Sequence, residues 1–182
     1  MRLLALDLST STGWACFLDG NLVEYGSFAV SVEDFNVNDH PEKAELYPYN
    51  IIRAAEEVTY QTSLIVSRMR PDSVVIENTV KGRNRHTQRI LEHIHYCILD
   101  MLRAYGLPMV YRDPSQWRAA LNVRLTNEDK KNNSLVSQGK KRGKVTRKHL
   151  AVRLANSMFN LKLLQKHDDI ADALLLGASM FV

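Results

Sequence analysis

Four carboxylates stand in the sequence where carboxylates are costly. Asp7 interrupts the apolar run Leu3-Leu4-Ala5-Leu6-Asp7-Leu8, and Glu77 closes the β-branched run Val74-Val75-Ile76. An ionised carboxyl in such surroundings pays a large desolvation penalty unless a partner offsets it. Asp169 and Asp172 precede the apolar stretch from Ala173, and their spacing of three puts both on one face of a helix. If these segments meet at one sheet edge, four carboxylates converge from three elements. Oxygen-only donors of this kind select hard cations, Mg²⁺ or Mn²⁺, which keep waters and also accept phosphate oxygens. Two such ions roughly 3.5–4 Å apart are the arrangement that hydrolyses phosphodiesters, one activating water and the other stabilising the departing 3′ oxygen. No protein nucleophile is then needed. The carboxylates must be ionised, so activity is expected to fall on acidification as metal is lost. Read singly, such acids have plain structural explanations: a backbone-capped acid for Asp7 and a strand-end turn residue for Glu77, while the neighbouring Asp168, outside the set of four, reads as the N-cap of the last helix. The signal lies in the combination.

The elements that must position these acids follow from periodicity. Leu3 to Leu8, Gly13 to Leu18 and Leu22 to Val30 read as three antiparallel strands, the last two joined by the hairpin signal Asp19-Gly20-Asn21. Residues 31–49 show no period and are expected as a loop or insertion. Ile51, Ala55, Val58, Thr62, Ile65, Val66 and Met69 repeat at helical spacing. Val74 to Ile76 is a buried strand ending on Glu77, and a basic loop from Asn78 to Gln88 leads to a helix from Ile90 to Tyr105. Met109 to Tyr111 is a short strand. Asp113-Pro114-Ser115-Gln116 then combines an N-cap, Pro at the first helical position and Gln three after the cap, so a short helix begins there. Residues 122–144 hold few apolar anchors and are expected as a mobile loop. A basic helix from Val145 to Met158 is expected to bury Leu150, Leu154 and Met158 and to leave Arg147, Lys148 and Arg153 free. A last helix runs from Asp169 to Met180. With no repeat and no linker, the chain reads as one α/β domain over 1–182, with the order βββαβαβα in a mixed five-stranded sheet covered by helices on both faces.

Length and composition agree with one core-forming domain: 182 residues, 45% hydrophobic and 24% charged, which excludes a disordered or staple-dependent chain. The net charge of +4 conceals a lopsided distribution. Residues 1–80 carry 5 basic and 12 acidic side chains, residues 81–153 carry 17 and 5, and residues 154–182 carry 2 and 3. A basic middle between acidic ends is the footprint of a polyanion partner. Lys81, Arg83, Arg85 and Arg89 directly follow the Glu77 strand, and Lys140, Lys141, Arg142, Lys144, Arg147 and Lys148 form a second cluster. Both are candidate DNA-binding groups, gripping phosphates without reading sequence. The segment Gly139 to Thr146 is not a P-loop: it has three residues between its glycines instead of four, and Val follows its Lys. Cys16 and Cys97 show no metal-ligand spacing and suit reduced thiols of a cytosolic protein. Asp7 breaks the first apolar run, so it is not a signal peptide, and Ala173 to Val182 falls short of the about 20 residues that span a bilayer. A cytoplasmic protein with no membrane partner is expected.

Three segments carry a resemblance. Leu4 to Trp14, Val75-Ile76-Glu77-Asn78 and Asp169-Ile170-Ala171-Asp172-Ala173-Leu174 resemble, in order and spacing, the acidic motifs of the RuvC-type Holliday-junction resolvases of the RNase H-like superfamily, most of all its phage-encoded branch. D-x-x-D-A on a final helix is the most telling of the three. The resemblance implies that Asp7, Glu77, Asp169 and Asp172 are catalytic acids binding two Mg²⁺ or Mn²⁺ ions. It further implies a homodimer that nicks four-way DNA junctions in pairs, in a bacterial or phage-infected cytosol. Pro114, Trp117 and Arg118 resemble the segment after the family's fifth strand, and Lys144 or Arg147 stands near its basic residue on the next helix. Two departures are visible. Where cellular members place an aromatic wedge soon after the second acid, Thr79 to Arg85 offers only Val80, and Thr126 to Arg142 is longer and more basic than the bacterial pattern. The second departure implies a range extending to other branched DNA. An RNA-processing nuclease of the same fold is the alternative. A nucleotide-binding phosphotransferase, which Asp7 to Gly13 also resembles, would need two such domains, so no nucleotide cofactor is expected.

Overall fold

The computed structural model describes residues 1–30, 48–79, 85–139 and 143–182. Strands β1 (Arg2–Asp7), β2 (Ser11–Leu18), β3 (Asn21–Ala29), β4 (Ser73–Glu77) and β5 (Met109–Arg112) form one sheet in the order β3-β2-β1-β4-β5. The first three are antiparallel, and β4 and β5 add parallel to β1. Asp19 and Gly20 at the β2–β3 turn both have positive φ, 49° and 83°, the twist that a two-residue hairpin needs.

Alternation along the strands divides two cores. Leu4, Leu6, Trp14, Cys16, Val74 and Ile76 face α1 (Tyr49–Met69) and α2 (Arg85–Ala104). Leu3, Ala5, Ala15, Phe17 and Val75 face the other side. There they meet α5 (Arg147–Phe159), α6 (Asp168–Ala178) and Trp117 of α3 (Pro114–Ala120). A period of two continues Leu3 and Ala5 to Asp7, and Val75 to Glu77, so both acids belong to the α6 side. Helix α6 is buried nearly all round because it lies between the sheet and α5. It approaches closely enough that a β-carbon at Gly177 would lie 2.3 Å from the Phe17 ring.

Several expectations need correction. Residues 122–144 are not a loop throughout: α4 (Asn127–Ser137) occupies the middle. The Thr126 hydroxyl accepts from the Asp129 amide at 3.1 Å, and the Asp129 carboxylate accepts from the Thr126 amide at 3.0 Å, a reciprocal cap that starts the helix. Arg153 then clamps Asp129 through both guanidinium nitrogens, at 3.0 and 3.1 Å. Arg153 is therefore not free, and neither is Lys148, which is ion-paired with Asp168. The buried stripe of α5 is Leu150, Ala151, Val152 and Ala155, while Met158 is exposed, because the helix packs its small residues against α6. Helix α2 begins at Arg85, so Arg85 and Arg89 are helical, and the loop expected from Asn78 to Gln88 ends earlier. Segment 31–47, part of the expected insertion 31–49, lies outside the described residues, while Tyr49 already opens α1.

Candidate active site

The four acids come together on one side of the sheet. Strand β1 runs parallel to β4 with Leu6 opposite Ile76, which puts Asp7 beside Glu77 at the carboxyl ends of both strands. Asp7 also pairs with Gly13 of β2, and Gly13 is where α6 lands: a β-carbon there would lie 2.0 Å from the Asp169 carbonyl oxygen. Any larger residue would hold the first turn of α6 away from Asp7. The acids of that turn sit at a helix N-terminus, whose dipole favours negative charge.

Each carboxylate has a different environment. The Ser11 hydroxyl donates to Asp169 Oδ2 at 2.5 Å. The turn that presents Ser11 is tied by its own hydroxyls: Thr12 Oγ1 donates to the Ser9 carbonyl at 2.6 Å, and the Ser11 amide donates to Ser9 Oγ at 2.9 Å. The Trp117 indole N–H donates to Glu77 Oε2 at 2.6 Å. The Arg118 guanidinium lies 3.6 Å from Asp172 Oδ2, an ion pair too long for a hydrogen bond. Asp172 Oδ1 is buried with no hydrogen-bond partner among the described residues. Asp168 pairs with Lys148 instead of capping α6 with its side chain.

Crowding of negative charge away from water sets the electrostatics. Burial, and then the neighbouring Glu77, Asp172 and Asp169, push the Asp7 carboxyl well above the usual carboxylate range against the pull of Arg118. Burial also raises Glu77, with the Trp117 hydrogen bond and Arg118 restraining it. Burial and then Glu77 push Asp172 up to about 7, with Arg118 and Lys148 opposing. Such a cluster of desolvated carboxyls, with a buried oxygen to which no described residue donates, fits a hard cation: all donors are oxygens and the surplus charge is negative. No three His, Cys, Asp or Glu side chains among the described residues already close on one point as a cage. Mg²⁺ does not require one, since it usually takes one or two carboxylates and completes its shell with water and substrate phosphate.

Beside the acids lies a groove of about 670 Å³, lined by Thr79, Ser115, Arg118, Arg124 and Arg147 among others. Of the basic residues singled out in the sequence, Arg147 lines this groove and Lys144 is exposed just before it in the chain. Lys148 is engaged by Asp168, whose hydrogen bond holds its ammonium above the ordinary lysine value. Arg85 is exposed at the start of α2, and Arg89 lines a separate hollow with Pro48, Ile51 and Tyr96. Lys81, Arg83, Lys140, Lys141 and Arg142 lie outside the described residues, as does Val80.

From the sequence, Ser9 to Thr12 could either line the metal site or shape the turn, and Ser11 does reach Asp169. Two contributors escaped the sequence reading: Arg124 and the indole of Trp117. A signal existed for the last. A buried indole needs an acceptor, and an acid closing an apolar strand needs a donor.

No protein-family model matches this sequence, and neither does any curated protein. Solved structures do match in fold. Thermus thermophilus RuvC in complex with a Holliday-junction substrate aligns with a TM-score of 0.64 at 14% identity, covering 98% of this chain and 91% of that one. A second structure of Thermus thermophilus RuvC gives 0.63 at 15%, covering 98% and 92%. The yeast mitochondrial Holliday-junction resolvase Ydc2 gives 0.55 at 11%, covering 98% and 77%. The sheet order and the two helical layers are thus those of the RNase H-like fold seen in RuvC and in Ydc2.

Proposed function

We propose that this chain is a divalent-metal-dependent endonuclease that cleaves four-way DNA junctions and related branched DNA. The observation that carries the reading is the gathering of four carboxylates from β1, β4 and α6, desolvated and with Asp172 Oδ1 undonated among the described residues, in a RuvC-type fold. Asp7, Glu77, Asp169 and Asp172 would hold two Mg²⁺ or Mn²⁺ ions. When bound, such ions supply Lewis acidity for phosphodiester hydrolysis.

The protein's own contribution is placement. Ser11 fixes the Asp169 carboxylate, Trp117 fixes Glu77, and Arg118 holds its charge between Asp172 and the groove. Arg118, Arg124 and Arg147 grip backbone phosphates along that groove, with Thr79 and Ser115 as neutral donors. Lys144, Arg85 and Arg89 are further candidate phosphate contacts, and Lys81, Arg83, Lys140, Lys141 and Arg142, outside the described residues, join them on charge alone. Contacts of this kind register the backbone and leave selection to the shape of the branch. Two copies related by a two-fold axis would meet the two symmetric strands of a junction, so the working unit is a homodimer. The free thiols Cys16 and Cys97 suit a reducing cytosol, bacterial or phage-infected, and no helix among the described residues is long and apolar enough to cross a membrane.

The test is nicking of a synthetic four-way junction with Mg²⁺ or Mn²⁺, beside a duplex, a replication fork and matched RNA substrates. Paired symmetric nicks that Asp7→Asn and Glu77→Gln abolish are expected. Undiminished cleavage by those variants would overturn the site, and preferential cleavage of RNA would overturn the substrate.

A further inference from the structure

Trp117 is fully buried, and burial alone would be met by any large apolar side chain. What an apolar side chain could not supply is the indole N–H, which donates to Glu77 Oε2 at 2.6 Å, at the short end of N–H···O bonds. The helix carrying the indole is fastened next to its target. Asn78, the residue after Glu77, donates its amide hydrogen to the Arg112 carbonyl at 2.9 Å and its side-chain N–H to Asp113 Oδ1 at 2.8 Å. Asp113 is the N-cap of α3, and its own amide donates to Gln116 Oε1 at 3.1 Å. The ring cannot drift from Glu77 without breaking that chain of contacts. The Trp117 ring is in turn covered by the Arg118 guanidinium, 4.6 Å from its centroid, and Arg118 reaches Asp172 on α6. Two adjacent residues of one short helix therefore hold a carboxylate of β4 and one of α6.

We infer that Trp117 is a positioning residue: its indole N–H fixes the Glu77 carboxylate in the orientation that takes a divalent cation. The inference rests on the metal-dependent reading above. One Glu77 oxygen is engaged by the indole, which orients the other toward the site shared with Asp7 and Asp172. Partners of this kind typically contribute 10–100-fold to metal affinity or activity.

The test uses the full chain without DNA and reads Mn²⁺ binding by electron paramagnetic resonance for wild type, Trp117→Phe, Glu77→Gln and the double variant. Phe keeps an aromatic ring under Arg118 and removes only the donor and part of the volume. The expected result is a loss of about 10-fold or more in Mn²⁺ affinity for Trp117→Phe. The same substitution should change nothing further when Glu77 is already Gln, because the two act through one contact. Affinity for Trp117→Phe within twofold of wild type, or an equal loss in the Glu77→Gln background, would overturn the inference. If wild type binds no Mn²⁺, the metal-dependent reading itself falls and this inference with it. A second measurement serves if Trp117→Phe does not fold. The chain has two tryptophans, so Trp14→Phe leaves Trp117 as the sole indole. Mg²⁺ should then shift its emission over the range in which it displaces Mn²⁺, and an unchanged spectrum would again overturn the inference.

Discussion

Gly13 and Asp169 meet backbone to backbone: a β-carbon at Gly13 would lie 2.0 Å from the Asp169 carbonyl oxygen and 2.4 Å from its carbon. The obstacle is main chain at the first turn of α6, so it cannot rotate aside as a side-chain tip would. Gly13→Ala must therefore lift that turn from the sheet, carrying Asp169 and Asp172 away from Asp7. We predict a destabilisation of about 1–3 kcal/mol, the usual range for overpacking, together with a loss of Mn²⁺ affinity. Denaturant unfolding and metal titration measure the two effects. Unchanged metal binding in a folded Gly13→Ala protein would show that α6 tolerates the displacement.

Ser11→Ala separates positioning from folding. The hydroxyl donates to Asp169 Oδ2, while the neighbouring turn is held by Ser9 and Thr12, which the substitution leaves intact. Cleavage should drop by roughly 10-fold, as for other partners of metal-binding groups, with a melting temperature close to wild type. A large fall in melting temperature would assign Ser11 to the turn instead.

The raised carboxyls bear on stability with a definite sign. A carboxyl whose folded value lies above its unfolded value binds protons more tightly when folded, so folding is helped while the group is protonated. That help is lost as pH rises from about 4 through the folded value. For Asp172, raised to about 7, the metal-free protein should lose on the order of 4 kcal/mol across that window, and Asp7 and Glu77 act in the same direction. Asp172→Asn should accordingly raise the melting temperature of the chelated protein at pH 8 and abolish cleavage. Mg²⁺ should stabilise wild type at that pH and do much less at pH 5. A destabilised Asp172→Asn protein would mean that the carboxylate is compensated without metal.

How far the sequence revealed the molecule depended on whether one segment held all the information. Strands β1 to β3 and helix α1 were legible because their apolar residues repeat at a fixed period, and the four acids were legible because each stands against that pattern. Helix α4 was not, because a helix that buries only Asp129 has no apolar stripe to read. Its signal was the reciprocal cap from Thr126 to Asp129, which is local, and its anchor was Arg153, which is not. The bond between Trp117 and Glu77 joins residues 40 apart, and each taken alone passes for an ordinary core or strand-end residue.

Helix α4 should be only as stable as that anchor. Arg153 holds the Asp129 carboxyl down to about 2. A depressed carboxyl contributes stability that is complete above its unfolded value near 4 and is lost as pH falls through about 2. At neutral pH the pair is therefore fully formed, and Asn133 adds a second tether by donating to the Val145 carbonyl at 2.9 Å and accepting from its amide at 2.8 Å. Arg153→Ala should speed amide hydrogen exchange over residues 127–137 while β1 and α6 keep their protection. Uniformly faster exchange across the chain would show instead that α4 belongs to the global folding unit.

The groove arginines and Lys148 should differ although all are basic. Arg124 and Arg147 line the groove beside the acids, whereas Lys148 is ion-paired with Asp168 and its charge is already opposed. Each phosphate contact releases counterions, so losing one lowers the slope of log affinity against log salt by about 0.9 on duplex arms. Arg124→Ala and Arg147→Ala should each weaken junction binding and flatten that slope by about one contact, equally for junctions of unrelated sequence. Lys148→Ala should leave the slope nearly unchanged, because the pair it breaks lies within the protein. Binding isotherms at several salt concentrations with Ca²⁺ in place of Mg²⁺ measure this without cleavage. A steeper dependence on Lys148 than on Arg147 would move the phosphate path from the groove to the face of α5 beside Asp168.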